Sequence, residues 1–278
     1  MPPLPKCATL VRYFGIWYRN EANLVELCVY LVICPMLFLA GFVDSVAGGG
    51  GLISLPAYLF VGIPVHLASG TNKLVNSIGT GVATISYIRS GKVRLQAALL
   101  AAAGALAGGA FGVRLALWCS EQVLQGCILA ALPAVAVIMA VKKDLGTAPV
   151  QRRWTPHQQM ALSLTIGLII GLYDGLVGPG TGTFLIMAFT LVLGMDLLTA
   201  SGCAKVANLA SNVAAAISWA VSGKVLWSLV FPAAVCCVLG NWFGAWYAIR
   251  GGAKRVRGMI FLVLALLFLK LGWQLLFS

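Results

Sequence analysis

Two stretches decide the fold: GIPVHLASGTNKLVNSIGTGVATISYIRSGKV, from Gly62 to Val93, and GMDLLTASGCAKVANLASNVAAAISWAVSGKV, from Gly194 to Val225. Aligned without a gap, Gly62, Ala68, Ser69, Gly70, Lys73, Asn76, Ala83, Ile85, Ser86, Ser90, Gly91, Lys92 and Val93 of the first recur in the second. The segments just before them match as well. GFVDSVAGGGGLISLP (Gly41 to Pro56) faces GLYDGLVGPGTGTFLI (Gly171 to Ile186), with a two-residue slip inside the glycine run. Each copy keeps an Asp, a glycine loop, a Lys and an Asn in an otherwise apolar setting. Packing alone does not ask for that set. It predicts two pseudo-symmetric halves around a polar centre.

Composition places that centre in a membrane. The chain of 278 residues is 60% hydrophobic and 9% charged, with a mean hydropathy of +0.96. A soluble domain carries about a quarter charged residues. The apolar runs are continuous rather than alternating, so helices fit and a barrel does not. The net charge of +12 sits in short clusters between those runs: Arg89, Lys92 and Arg94; Lys142, Lys143, Arg152 and Arg153; Arg250, Lys254, Arg255 and Arg257. Such clusters set membrane orientation and do not imply a nucleic-acid partner. The eight Cys form no CxxC, and the two His lie far from them in sequence, so neither a metal nor another cofactor is expected. The first twenty residues lack a long apolar core and a clear cleavage site, so no signal peptide is expected.

The fold class read from these runs is an all-α polytopic membrane protein. It has two tandem homologous repeats, each of about four spanning helices plus one short, glycine-led half-helix. Residues 1–23 form a tail, 24–141 the first repeat, 142–156 a polar linker and 157–278 the second repeat. The first repeat divides into Leu24–Val43, Leu52–Val61, His66–Ile88, Leu95–Trp118 and Val123–Val141. The second divides into His157–Tyr173, Thr183–Leu193, Leu197–Val221, Val225–Ile249 and Val256–Phe277. Thr155 and Pro156 suit a helix start. The second segment of each repeat is about half the length needed to span. If it crosses, each half has an odd number of crossings and the repeats are inverted; if it does not, the repeats share one orientation. The basic clusters leave both schemes open.

Paired short segments led by Gly and Pro mark a transporter's binding site. The glycines Gly49, Gly50 and Gly51 in one half, and Gly180 and Gly182 flanking Thr181 in the other, precede short helices. Their free N–H groups and dipoles favour an anion. Lys73 and Lys205 follow on long apolar helices, where an unpaired charge costs at least about 2.5 kcal/mol. Asn76 and Asn208 stand three residues on, sharing a helix face with them. Asp44 and Asp174 precede the glycines and could serve as counter-ions to a lysine, caps or proton carriers; for Asp44 the counter-ion role is favoured. Neither glycine loop carries the Gly-Lys-Ser/Thr of a nucleotide-binding loop. His66 has no counterpart, since Leu198 takes its place. No Ser/His, Cys/His or metal constellation suggests an enzyme.

These residues resemble the TauE/SafE sulfite exporter family, also called TSUP or DUF81, and its YfcA-like branch most. The likeness rests on AGFVDSVAGGGGLISLPA (Ala40–Ala57), GTNKLVNSIGTG (Gly70–Gly81), GLYDGLVGPGTGTF (Gly171–Phe184) and KVANLASN (Lys205–Asn212). Thr71 and Asn72 of the second motif join the candidate anion site; the second repeat has Cys203 and Ala204 there. The resemblance implies a multi-pass carrier of the bacterial inner membrane, moving a small sulfur-containing oxyanion such as sulfite, a sulfonate or thiosulfate. Export is the favoured direction, and the proton is a candidate coupling ion. An anion channel is the alternative, and an intramembrane enzyme a distant third.

Overall fold

The computed structural model describes residues 21–141 and 154–277, with side chains for 29–131, 154–260 and 262. The expected tail up to residue 20 and most of the expected linker, 142–153, lie outside the described residues. In chain order the helices are α1 (Glu21–Ala47), α2 (Gly51–Phe60), α3 (Val65–Arg89), α4 (Leu95–Trp118) and α5 (Glu121–Val141). There follow α6 (Pro156–Leu176), α7 (Thr181–Leu191), α8 (Leu197–Val221) and α9 (Trp227–Phe277). The last two segments expected from sequence are one run, α9, broken at Gly252, where φ is +64°. Thr155 caps α6 reciprocally with Gln158, and Pro156 fills the first turn, where its missing N–H costs nothing.

Among the described residues, four helices or helix stretches are long and apolar enough to cross a membrane by length and composition: Val29–Ala47, Leu95–Trp118, Pro156–Leu176 and Trp227–Ile260. α3 and α8, at 25 residues each, are as long but carry Lys, Asn, Ser and Thr on one face. That face lowers their mean hydropathy, and it is turned inward. Large apolar side chains cover the outside, among them Leu99, Phe111, Ile169, Ile217 and Phe231, all more than half exposed. In water this would be an aggregating surface; in lipid it is the natural skin.

α1 and α2 form a hairpin that returns to its own side. Ile33 and Leu37, near the middle of α1, share a core with Tyr58 near the end of α2, with Val61 just after it and with Ala68, early in α3. α6 and α7 do the same. Trp154, just before α6, donates its indole N–H to the Val192 carbonyl just after α7, at 2.8 Å. Each short helix therefore folds back along the helix before it.

α3 and α8 form the centre and run antiparallel. Lys73, early in α3, reaches Asn212, late in α8, at 3.2 Å; Thr84, late in α3, reaches the Lys205 carbonyl, early in α8, at 3.2 Å. Around this pair the halves interlock. α4 runs parallel to α6, with Gly104, Gly108 and Gly112 set against the backbones of Leu164, Leu168 and Leu172. A Cβ on Gly108 would stand 2.2 Å from the Leu168 carbonyl oxygen. α9 runs parallel to α1 in the same way, through Gly240 against Phe38 and Gly244 against Phe42. Small residues thus let backbones touch, as membrane helices require in the absence of a hydrophobic force between them. The fourth helix of each repeat packs on the first helix of the other.

Equivalent helices in the two repeats point opposite ways, so the pseudo-two-fold axis lies across the helices. Ser90 and Ser222 occupy equivalent turns, at the ends of α3 and α8. With the native cysteines replaced, Ser90→Cys and Ser222→Cys are expected to react with an impermeant maleimide from opposite faces of sealed membranes. Reaction of both from one face would contradict the antiparallel arrangement.

Candidate functional site

The inward faces of α3 and α8 bring the polar residues of both repeats together. Lys73 Nζ lies 2.6 Å from Asp174 Oδ1 and also donates to Asn212 Oδ1 at 3.2 Å. The Ser211 hydroxyl donates to the other oxygen of Asp174 at 2.7 Å. Lys205 Nζ lies 2.8 Å from Asp44 Oδ2 and also donates to the Asp44 backbone carbonyl. Thr80 donates to Asp44 Oδ2 at 3.4 Å. Each lysine is therefore held by the acid of the other repeat. Asp44, expected to pair with one of the two lysines, pairs with Lys205; Asp174, left open by the sequence, pairs with Lys73.

The acids reach the lysines because the hairpin tips meet. Gly48, at φ +76°, sits so close to the second tip that a Cβ there would stand 2.2 Å from the Gly182 carbonyl carbon. Thr183 donates its hydroxyl to the Ala47 carbonyl at 2.8 Å, tying the tips together. Gly180 caps α7 with φ +82°, a left-handed conformation that glycine adopts without steric cost. Tyr173 donates its hydroxyl to the Pro179 carbonyl at 2.5 Å, and Thr181 to the Gly178 carbonyl at 2.7 Å. The second tip is thereby braced from within.

A small cavity lies between these groups. Of the residues expected at the site, Lys73, Asn72, Asn76, Asn208, Gly51, Thr181, Gly182, Asp44 and Asp174 line it. Thr71 does not; its oxygen accepts the Leu226 N–H at 2.9 Å and so secures the start of α9. Lys205 is wholly buried behind Asp44 rather than in the cavity wall. Gly49, Gly50 and Gly180 shape the tips from outside the wall. Sequence reasoning missed Asn212 and Thr80, which occupy equivalent positions in the two repeats, and also Gly48 and Gly178. Asn212 and Thr80 each lie four residues beyond the expected Asn, on the same helix face, and that spacing was the available signal. His66 stands apart, near the start of α3, with its ring 3.3 Å from the Ala116 carbonyl and 3.5 Å from Glu121. Among the described residues no cluster of His, Cys, Asp or Glu could hold a metal ion.

Chemically, the site offers one ammonium at the cavity wall, four side-chain amides and the N-terminal ends of two short helices. It also has two carboxylates, each paired with a lysine. That donor set suits reversible binding of an anion. The model of the family described as sulfite exporter TauE/SafE matches residues 33–271. The chain belongs to the TauE/SafE family. A probable membrane transporter protein, ORF9, of a Sinorhizobium species is 38% identical over 234 residues, covering 84% of this chain and 88% of the relative. The probable membrane transporter protein YfcA of Escherichia coli K12 is 34% identical over 252 residues, covering 91% of this chain and 93% of the relative. A probable membrane transporter protein of Haemophilus influenzae is 30% identical over 240 residues, covering 85% and 93%. No solved structure matches. As a TauE/SafE member with multiple apolar helices and bacterial relatives, the chain is a multi-pass protein of the bacterial inner membrane.

Removing one partner of a buried ion pair costs about 3–5 kcal/mol, because the other is left uncompensated. Lys205→Met is therefore expected to lower the folded yield sharply, and Asp44→Asn added to it to restore much of that yield. Asp44→Asn combined with Lys73→Met is expected to give no rescue, since those residues belong to different pairs. Size-exclusion profiles in detergent report the yields. Rescue by the second combination and not by the first would contradict the crossed pairing.

Proposed function

We propose that this chain is a secondary carrier of a small anion, of the sulfur-oxyanion class, with the substrate bound between the two hairpin tips. The observation that carries the reading is the meeting of both glycine-led tips with Lys73 and a ring of amides at the centre of the bundle. Helix N-termini and a buried ammonium favour negative charge. Amide and backbone donors match the oxygens of sulfite, a sulfonate or thiosulfate. The family's description names sulfite export, and export is the direction we propose.

The interlocked halves supply a way to alternate access. Each hairpin is packed on the partner half's fourth helix, so tilting one half carries a tip, an acid and the opposite lysine's partner with it. The orientation follows from charge. The turn Arg89–Arg94 between α3 and α4 shares a face with the break in α9 that bears Arg250, Lys254, Arg255 and Arg257; Tyr87, Ala98, Ala248 and Val256 belong to one core there. The positive-inside rule puts that face in the cytoplasm.

Purified protein screened by thermal shift against sulfite, methanesulfonate, thiosulfate, acetate and phosphate is expected to respond to a sulfur oxyanion. At about 100 times its Kd, the ligand adds about 2.7 kcal/mol to the folded state. Lys73→Met, tested at a concentration that saturates the parent, is expected to lose the response. In proteoliposomes, flux of the same anion is expected to saturate and to show counter-exchange. Non-saturating flux would indicate a channel, and chemical conversion of the anion an enzyme. Absence of any shift and any flux would overturn the reading.

A further inference from the structure

This inference rests on the carrier reading above and concerns what must accompany the anion. Lys73 and Lys205 face Asp174 and Asp44, so the charges at the centre already cancel. The free space is also small: the centre of a water-sized sphere can occupy about 20 Å³, room for about one water. An oxyanion of several heavy atoms fits only if a group now present moves. It also fits without a large electrostatic cost only if the added negative charge is met, since an uncompensated charge in such a setting costs several kcal/mol.

The two pairs are not equivalent. Lys205 is wholly buried, off the cavity wall, and donates to both the carboxylate and the backbone carbonyl of Asp44. It ties the end of α1 to α8. Lys73 lines the cavity and lies against the second tip, its Nζ 3.4 Å from where a Cβ on Gly178 would stand. Its surroundings are amides that can follow it, above all Asn212. Asp174, only 2% exposed, keeps the Ser211 hydroxyl if Lys73 turns away, but no cation. Around Asp174, α4 presents Gly109 against the neighbouring Gly175, and α8 presents Ser211 to Asp174 itself and Asn212 to Lys73. Asp44 stands across the cavity on α1, already paired, and Tyr173 adjoins Asp174 on α6. No second cation lines the cavity among the described residues.

We propose that the anion takes Lys73 from Asp174 and that Asp174 takes up a proton from water as it does so, while Lys205–Asp44 stays closed as a strut. With a monoanion the loaded centre is then neutral, as the empty one is, and anion and proton move together without net charge; a dianion carries one negative charge across with its proton. Flow follows the combined gradients of both, and export draws on accumulation of the anion in the cytoplasm.

The test uses methanesulfonate, and for the calorimetry also thiosulfate where that binds more tightly, because neither takes up a proton near neutral pH. Calorimetric titration of the parent in two buffers of different ionisation enthalpy counts protons taken up with the anion. About one per methanesulfonate is expected, with Kd weakening about tenfold per pH unit on the alkaline side, by linkage. Asp174→Asn is expected to bind with no proton uptake and a flat pH profile, and its methanesulfonate flux to respond to an imposed membrane potential to which the parent's is indifferent. Binding by the parent without proton uptake would overturn the proposal, as would an unchanged pH slope in Asp174→Asn. The parent titration stands alone if that variant fails to fold. Failure of every probe to bind the parent would remove the carrier reading as well, which separates the two failures.

Discussion

Two ammonium groups buried among apolar helices need counter-charges, and here each finds its counter-charge in the other half of the molecule. The Lys73–Asp174 and Lys205–Asp44 pairs, at 2.6 and 2.8 Å, make this possible only if several other features hold. α3 and α8 must lie against each other, running in opposite senses. Both hairpins must bring their acids to that central pair. The first and fourth helices must then pack across the divide between repeats. The crossed pairs are thus the constraint from which the interlocked architecture follows.

Glycine makes the constraint sterically possible at two levels. At the tips, Gly48 and Gly182 let two backbones approach with no side chain between them. Along the helices, Gly104, Gly108 and Gly112 on α4, and Gly240 and Gly244 on α9, seat the hairpins close enough for Asp44 and Asp174 to reach the centre. In lipid, where apolar surfaces gain little by meeting one another, such close backbone contact is a main source of helix association. The packing that holds the bundle and the geometry of the polar centre are therefore one design. The same glycines that stabilise the halves also position the charges.

Much of this was legible in the residues. The bounds Leu95–Trp118 and Leu197–Val221 match α4 and α8, because each apolar run ends at residues that stop a membrane helix. The family followed from the paired motifs, and Lys73, Asn76, Asn208, Asp44 and Asp174 line one cavity. What was not legible depends on three-dimensional pairing. Nothing local distinguishes which acid meets which lysine. A helix of spanning length followed by a short one reads as a span plus a stub, whereas the tips form a returning hairpin. Ser211 escaped notice because its counterpart is Gly79, so comparison of the repeats hid it. Lys205 looks equivalent to Lys73 by position, yet it is wholly buried behind Asp44, and Ala204 stands where the first repeat has the cavity-lining Asn72. Duplication sets the frame, and the two lysines depart from it: Lys73 lines the cavity, and Lys205 does not.

The most direct measurement is an experimental structure of the protein with selenate or a selenium-labelled oxyanion bound, located by its anomalous signal. The expected result is a single strong site within hydrogen-bonding distance of Lys73 Nζ, between the two hairpin tips, with Lys205 still paired to Asp44. An anion found only at the basic turns on the membrane face, or beside Lys205 with Lys73–Asp174 intact, would contradict this placement of the substrate.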